Sequence, residues 1–371
     1  MSHSGARNGT HRRQGSGEPD RNSLRLGVFT RLVDPVAPAE VYARGLSLFE
    51  TAEQLGYDVG WVAQHHAHKE GGLPSPLVFL AVAASRTQRL RLATGIITLP
   101  LEQPLRLAED AAVLDILSGG RLELGFGTGG NDVVFSMFGR ALDRRQDDYE
   151  RAFTIVRDAL SGKPCIPNGP VMFPIAEHLS STIWEAAMSV GAAIRAAEHG
   201  TALLLARTAP RESPSDVPAL QTPRPMGEAQ VPLSEGQMPL GEAQRPMVNA
   251  YLEHWTSDGV TPRIGLSRSV YVAPTRAAAL ADAEDGIRRH ARLVGNRRGL
   301  RDDMNVEELL ARADVHIGSP DDVIASLRAD CLLSMASDLI VQVHPVDPSH
   351  EKTLRSVALI ATEVAPALGW R

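Results

Sequence analysis

Two short segments carry residues that could do chemistry, and each follows an apolar stretch of the chain. Gln64-His65-His66 comes just after Val59–Val62, and Gly127-Thr128-Gly129-Gly130 follows Leu122–Phe126. A histidine exchanges a proton near neutral pH and can donate to a developing oxyanion. Glycines at the end of a strand let a ligand approach the backbone closely. The pattern predicts proton transfer beside a ligand held against main-chain atoms.

The elements that position these residues alternate between short apolar strands and amphipathic helices. The best βαβ unit spans Ala93–Gly130, where a strand over Leu90–Leu99 precedes a helix over Arg106–Leu117 and a strand over Leu122–Phe126. The alternation predicts one α/β domain over residues 23–371, a (β/α)8 TIM barrel with insertions. In such a barrel the site lies at the carboxyl ends of the strands.

Composition restricts the class of protein. The 371 residues carry a net charge of -6 and only two cysteines, Cys165 and Cys331. We therefore expect no nucleic-acid partner and no disulfide framework. No apolar run reaches the roughly 18 residues that span a bilayer, so we expect no membrane association and a cytoplasmic location.

Two segments are predicted to lie outside the barrel framework. Residues 1–22 are polar and rich in Gly, Ser and Arg, and we expect a disordered tail. Residues from about 210 to 248 are rich in Pro, Gly, Gln and Glu and repeat MGEAQ as LGEAQ, which predicts a low-complexity insertion. A mobile lid over the barrel and a disordered surface loop remain alternatives for this insertion.

The run LPLEQPLRLAEDAAVLDILSGGRLELGFGTG resembles the bacterial-luciferase-like flavin-dependent oxidoreductases. The resemblance extends through LFETAEQLGYDVGWVAQHHA upstream and HIGSPDDVIASL downstream, so matches spread over roughly 300 residues in the family's order. It implies the luciferase-like (β/α)8 barrel and a flavin at the strand ends.

By this resemblance His65 matches the histidine near the flavin hydroperoxide, and we expect it to be catalytic. The alternative is a histidine that only forms hydrogen bonds at the barrel mouth. The residues expected to bind the cofactor lie on the same strand ends or on the helix that follows Met188: Gln64, Gly95, Ile96, Thr128, Gly129, Gly130, Ser189, Gly191, Ala192 and Arg207. The family often has a cis peptide bond at the position of Gly95-Ile96. No metal is expected, although His65, His66 and His68 are close in sequence.

The sequence departs from the family at three positions. Gln64 stands where an acidic residue is usual, Gln103 where a histidine is usual, and Thr128 where the luciferases have a phosphate-binding arginine. We expect the phosphate to lie at Ser189 instead, because a helix N-terminus offers unpaired N–H groups and a positive dipole end. Simple helix capping by Ser189 is the alternative. Arg207 and His344 each follow a predicted strand and could meet an anion at the barrel mouth. A surface salt bridge is the alternative for Arg207, and a role in a turn is the alternative for His344.

The resemblance implies a monooxygenase that receives reduced FMN from a separate, transiently bound flavin reductase. O2 would form a C4a-peroxide on the flavin and one oxygen atom would pass to a small organic substrate. Two alternatives stay open: a deazaflavin (F420)-dependent enzyme that transfers hydride, and a non-catalytic flavin-binding subunit. The family also implies a homodimer.

Overall fold

The computed structural model describes residues 24–67, 72–211, 237–294, 300–301 and 303–371. The predicted tail and most of the predicted insertion lie outside these residues, as does His68. Within the described residues no helix is both long enough and apolar enough to cross a membrane.

Ten strands form one sheet: β1 Arg25–Thr30, β2 Val59–Val62, β3 Arg91–Thr94, β4 Ile97–Thr98, β5 Leu122–Gly127, β6 Ile183–Ala187, β7 Ala202–Leu205, β8 Ile264–Val272, β9 Val315–Gly318 and β10 Asp338–Gln342. Eight of them close a parallel ring in the order β1, β2, β3, β5, β6, β7, β8 and β10, and β10 pairs with β1. The predicted (β/α)8 barrel is confirmed.

The ring strands are connected mainly by helices on the outside: α1 Pro38–Gln54, α2 Pro76–Arg86, α3 Pro104–Ser118, α4 Asp132–Met137, α5 Arg145–Leu160, α6 Val190–His199, α7 Leu240–Glu253, α8 Arg276–Val294, α9 Val306–Arg312, α10 Pro320–Arg328, α11 His350–Leu359 and α12 Ala365–Ala367. A π-helical turn, Ile360–Val364, joins α11 to α12. The bounds of α3 and β5 agree within two residues with those predicted from the sequence. Ser319 caps α10 in a capping box with Asp322, and Pro320 is in its first turn.

The sequence pattern was wrong at two places. The single strand predicted over Leu90–Leu99 is two strands, β3 and β4, separated at Gly95-Ile96. The predicted insertion ends too late, because α7 begins at Leu240 and contains the second MGEAQ-like repeat. Burial of Leu240, Met247 and Val248 stabilises this helix despite Pro246 in its interior.

Inside the ring, a lower layer of charge lies beneath an apolar layer. Glu123 of β5 is fully buried and binds three arginines from the amino ends of other strands, Arg25, Arg91 and Arg263. Trp184 also donates its indole N–H to Glu123, at 2.7 Å. The apolar layer contains Trp61, Trp184, Leu204 and Ile340, with Phe29 and Ile96 packed against it. The lumen is therefore filled at its lower end, and only its carboxyl end can accept a ligand.

Candidate active site

Gln64 holds together three segments at the carboxyl end of the barrel. Its Nε2 donates to Glu102 Oε1 at 2.8 Å and to the Pro74 carbonyl at 3.3 Å. Its Oε1 accepts from the Thr98 N–H at 2.7 Å. Both amide protons are thus used within the protein, so the structure gives Gln64 a positioning role on the loop that follows β2.

The two described histidines of this loop have different surroundings. His65 is half-buried and donates its backbone N–H to Leu73 O at 2.9 Å. The His66 ring packs edge-on against Phe138 with ring centroids 4.7 Å apart. Burial lowers the pKa of His66, and the nearby charge of Glu102 opposes this only in part. His66 is therefore a neutral imidazole at pH 7, at the same strand end as His65.

Glycines allow close packing on the β3 and β5 side of the lumen. The Gly95-Ile96 peptide bond is cis, as the resemblance implied. A Cβ at Gly125 would lie 2.1 Å from Thr94 O, and one at Gly127 would lie 2.7 Å from Ile96 Cδ1. Because Gly125 and Gly127 leave the lumen face of β5 bare, Ile96 packs directly over its backbone. The side chain of Ile96 therefore provides an apolar surface on this side of the mouth.

The loop after β5 continues this surface. Gly129 has a φ of +67°, and a Cβ there would lie 2.4 Å from Thr98 Cγ2. Only glycine fits this position without a shift of β4. Asn131 then caps α4, accepting from the N–H groups of Val133 and Val134. The half-buried Thr128 and Gly130 are therefore held in a fixed loop beside the mouth.

Ser189 caps α6: its Oγ accepts from the Ala192 N–H at 3.3 Å. The cap is present and uses the Ala192 amide, while phosphate binding at Ser189 stays a prediction. Gly191 is exposed, and a Cβ there would have no neighbour within 4 Å. The first turn of α6 is thus open to a ligand, and its N–H groups fit a phosphate. The residues present are compatible with the tail of a flavin nucleotide.

The opposite side of the mouth is polar. Arg31 follows β1 and donates to His344 Nε2 at 2.7 Å, so His344 Nδ1 carries the proton and donates to Asp347 at 2.8 Å. His344 therefore forms the turn contact that was its alternative role. Burial raises the pKa of Asp347, although the charges of Arg289, Arg31 and Arg207 oppose this. The positive charge of Arg207 on this polar side therefore favours the ionised form of Asp347.

Sequence reasoning overlooked Glu102, Arg31 and Gln342. Arg31 and Gln342 lie at the carboxyl ends of β1 and β10, so the rule that selected Arg207 could have found both. Glu102 gave no such signal, because its role depends on a contact with Gln64 across 38 positions of the chain.

The sequence profile described as luciferase-like monooxygenase matches residues 24–220. The chain belongs to this family. It is 41% identical over 108 residues to 4-hydroxyprotoasukamycin monooxygenase of Streptomyces nodosus subsp. asukaensis, which covers 29% of each chain. It spans about half or less of the length of the curated relatives that it matches.

Two solved structures have the same fold. One is the oxygenating constituent of 3,6-diketocamphane monooxygenase from Pseudomonas putida in complex with FMN, at TM-score 0.72 and 18% identity over 93% of this chain and 99% of that chain. The other is the coenzyme F420-dependent tetrahydromethanopterin reductase of Methanopyrus kandleri, at TM-score 0.65 and 15% identity over 93% and 99%. At these identities the likeness concerns the fold alone.

Proposed function

We propose that this protein is a flavin-dependent monooxygenase that uses reduced FMN and O2 to oxygenate a small organic substrate. The observation that supports it best is the pairing of two features in a chain of this family. The apolar side chain of Ile96, which packs over Gly125 and Gly127, suits one face of an isoalloxazine ring, and the open first turn of α6 suits its phosphate.

Reduced FMN, when bound, supplies the electrons that activate O2. Ser189 and the Gly191 amide would hold the phosphate, while Ile96 and the backbone of Thr128–Gly130 would support the ring. The apolar layer with Trp61 and Trp184 keeps water from below the ring. Gln64 and Glu102 fix the loop that carries His65, and His65 would hold and return the proton of the reaction.

A separate reductase is part of the proposal, since a two-component system needs a source of reduced FMN. The Pseudomonas putida structure is likewise the oxygenating constituent of a larger system. Reduced FMN would have to enter through the carboxyl end of the barrel. Exposed apolar side chains of α4, Val133 and Met137, together with Phe138, lie at this end and are available for a transient contact.

Anaerobic titration of the protein with reduced FMN, followed by O2, tests the function. We expect saturable binding and then a transient absorbance change that free FMN does not give. Reduced F420 in a parallel titration separates the hydride-transferring alternative. Binding of F420 without FMN would replace the proposal, and binding of FMN without reaction would favour a non-catalytic subunit.

His65→Ala is expected to keep FMN affinity within about threefold of the wild type. It should lower substrate oxygenation by 10²–10⁴-fold, the usual contribution of a general acid or base. H2O2 release per FMN oxidised should rise, because activated oxygen is no longer transferred. His254→Ala, which replaces an exposed histidine away from the mouth, is the matched control and should behave as the wild type. Full oxygenation by His65→Ala would show that His65 is not catalytic.

A further inference from the structure

Buried polar side chains line the lumen on the β8 and β10 side, opposite the proposed flavin surface. In the register of these strands, Ser267 pairs with Ile340 and Ser269 pairs with Gln342. Residues paired in neighbouring parallel strands lie on the same face of the sheet. Every second residue along one strand also lies on that face. Ile340 belongs to the apolar layer of the lumen, so Ser267, Ser269 and Gln342 face the same interior.

Two of these side chains have unused hydrogen-bonding capacity. Gln342 Nε2 donates to Ser267 Oγ at 2.7 Å. Gln342 Oε1 and Ser269 Oγ have no hydrogen-bond partner among the described residues, although Gln342 is 6% exposed and Ser269 is fully buried. A buried acceptor without a donor is destabilising, so these positions call for a ligand group or a water molecule. The unused Oε1 specifically requires a donor.

Positive charge lies beside them. Gln342 lines a cleft that is partly open to solvent, together with Phe29, Arg31, His344 and Asp347. The guanidinium groups of Arg31, Arg207 and Arg289 all act on the single carboxylate of Asp347. Arg31 reaches this place from β1 and Arg207 from the end of β7, so the charges converge from separate strands. The cleft is also lined by Asp34 and Arg44, which form an ion pair with each other. An anionic group that enters beside Arg31 would therefore meet more arginines than carboxylates and a positive local field.

We propose that this polar side binds the substrate, and that the substrate is a small organic carboxylate that also carries a hydroxyl or N–H group. The carboxylate binds beside Arg31, and the hydrogen-bond donor of the substrate meets Gln342 Oε1, with Ser269 Oγ next to it. The assignment of the ligand as substrate rests on the proposed function, whereas the preference for its chemistry depends only on these residues.

The test measures dissociation constants by calorimetry on the full chain, with and without oxidised FMN. The aromatic probes are 4-hydroxybenzoate, 4-hydroxybenzamide and benzoate. The aliphatic probes are 6-hydroxyhexanoate, 6-hydroxyhexanamide and hexanoate. In at least one series, the hydroxy acid should bind about tenfold or more tightly than its amide, and several-fold more tightly than the acid without the hydroxyl.

Two variants assign these preferences to residues. Arg31→Met should reduce the preference for acid over amide to less than threefold and leave the hydroxyl preference in place. Gln342→Leu should reduce the hydroxyl preference and leave the preference for acid over amide in place. Ser269→Ala tests the same contact if Gln342→Leu does not fold. Arg276→Met, which removes a surface pair with Glu307, is the control and should change neither preference.

The outcomes are distinguishable. Equal binding of acid and amide, no binding of any probe, or an unchanged acid preference in Arg31→Met would overturn the inference. If FMN does not bind but the two preferences and their loss in the variants are found, the proposed function fails and the subsite stands. If FMN binds and no acid preference exists, the subsite alone is wrong.

Discussion

Single residues at the mouth have roles that their types alone do not reveal. Gln64 stands at a position where the resemblance leads one to expect an acid, and in the structure it donates to a neighbouring acid, Glu102. The amide thus makes possible a contact that a second carboxylate would oppose. Ser189 shows the converse, since its capping role was predictable because the partner lies only three positions away.

Restoring the acid tests this interpretation. In Gln64→Glu two carboxylates would face each other at hydrogen-bond distance, and the bond to Pro74 O would be lost. We expect a loss of about 1–3 kcal/mol in the free energy of unfolding at pH 8. The loss should be smaller at pH 5, because one carboxyl of such a pair takes up a proton easily. Urea unfolding at the two pH values measures both effects.

The double variant Gln64→Glu/Glu102→Gln is the control for this prediction. It exchanges the two groups and restores an amide-carboxylate pair, so most of the stability at pH 8 should return. A Gln64→Glu protein as stable as the wild type at pH 8 would mean that the contact with Glu102 is unimportant.

Among the elements, the amino ends of the strands carry a charge cluster around the fully buried Glu123. Burial alone would raise the pKa of Glu123, but the charges of Arg25 and Arg263 and the hydrogen bond from Arg25 outweigh it and hold this pKa well below its usual range. The cluster connects β1, β3 and β5 with the residue before β8. It is predicted to stabilise the ring, because the amino face of such a barrel serves stability.

Glu123→Gln is expected to lower the free energy of unfolding by about 3–5 kcal/mol at pH 7, since three half-buried arginines lose the buried carboxylate that they share and only Asp338 remains to pair with two of them. Because the folded pKa is depressed, the advantage of wild type is complete above the unfolded pKa of about 4.3 and decreases below it. The gap between the two proteins should therefore shrink by about 1.4 kcal/mol per pH unit below pH 4.

Urea unfolding at pH 7, 5, 4 and 3.5 measures this gap. Glu363→Gln, on an exposed face near the C-terminus, is the control and should cost little at every pH. A gap that stays constant from pH 7 to 3.5 would contradict the assignment of a depressed pKa to Glu123.

Most strands and long helices were predictable from the sequence because their apolar periodicity is local. Helix α7 was not, since its composition and Pro246 favour a loop and only burial against the barrel stabilises it. The short α9 and β9 lack enough turns or residues to give a clear period. At the site, positions given by strand ends were predictable, whereas contacts between distant segments were not.

At the scale of the whole molecule, one face of the barrel exposes an apolar surface to water. Large apolar side chains are exposed on two adjoining helices: Val78 and Val82 of α2 and Val113, Ile116 and Leu117 of α3. Leu117 is 73% exposed and Val78 is 68% exposed. A contiguous apolar surface of this kind is typical of a protein interface. It supports the homodimer that the resemblance implies, and we predict that the interface lies on α2 and α3.

The double variant Ile116→Glu/Leu117→Glu is expected to convert the dimer to a monomer, because charges would be buried without partners in the interface. Size-exclusion chromatography with light scattering measures the mass. Leu293→Glu on α8 replaces a leucine that is 54% exposed, close to the 55% of Ile116, and should leave the dimer intact. A wild-type monomer, or a double variant that stays dimeric, would place the interface elsewhere or remove it.

The closed ring has a consequence for any fragment of this chain. The family profile ends at residue 220, after six of the eight ring strands, and the two that complete the circle follow it. A fragment confined to that part would present β1 and β7 as bare edges, because β10 and β8 are their missing neighbours. Such edges pair with other chains, so the fragment should form aggregates or swapped assemblies. The segment that matches the family profile, residues 24–220, therefore depends on β8 and β10 to stay monodisperse.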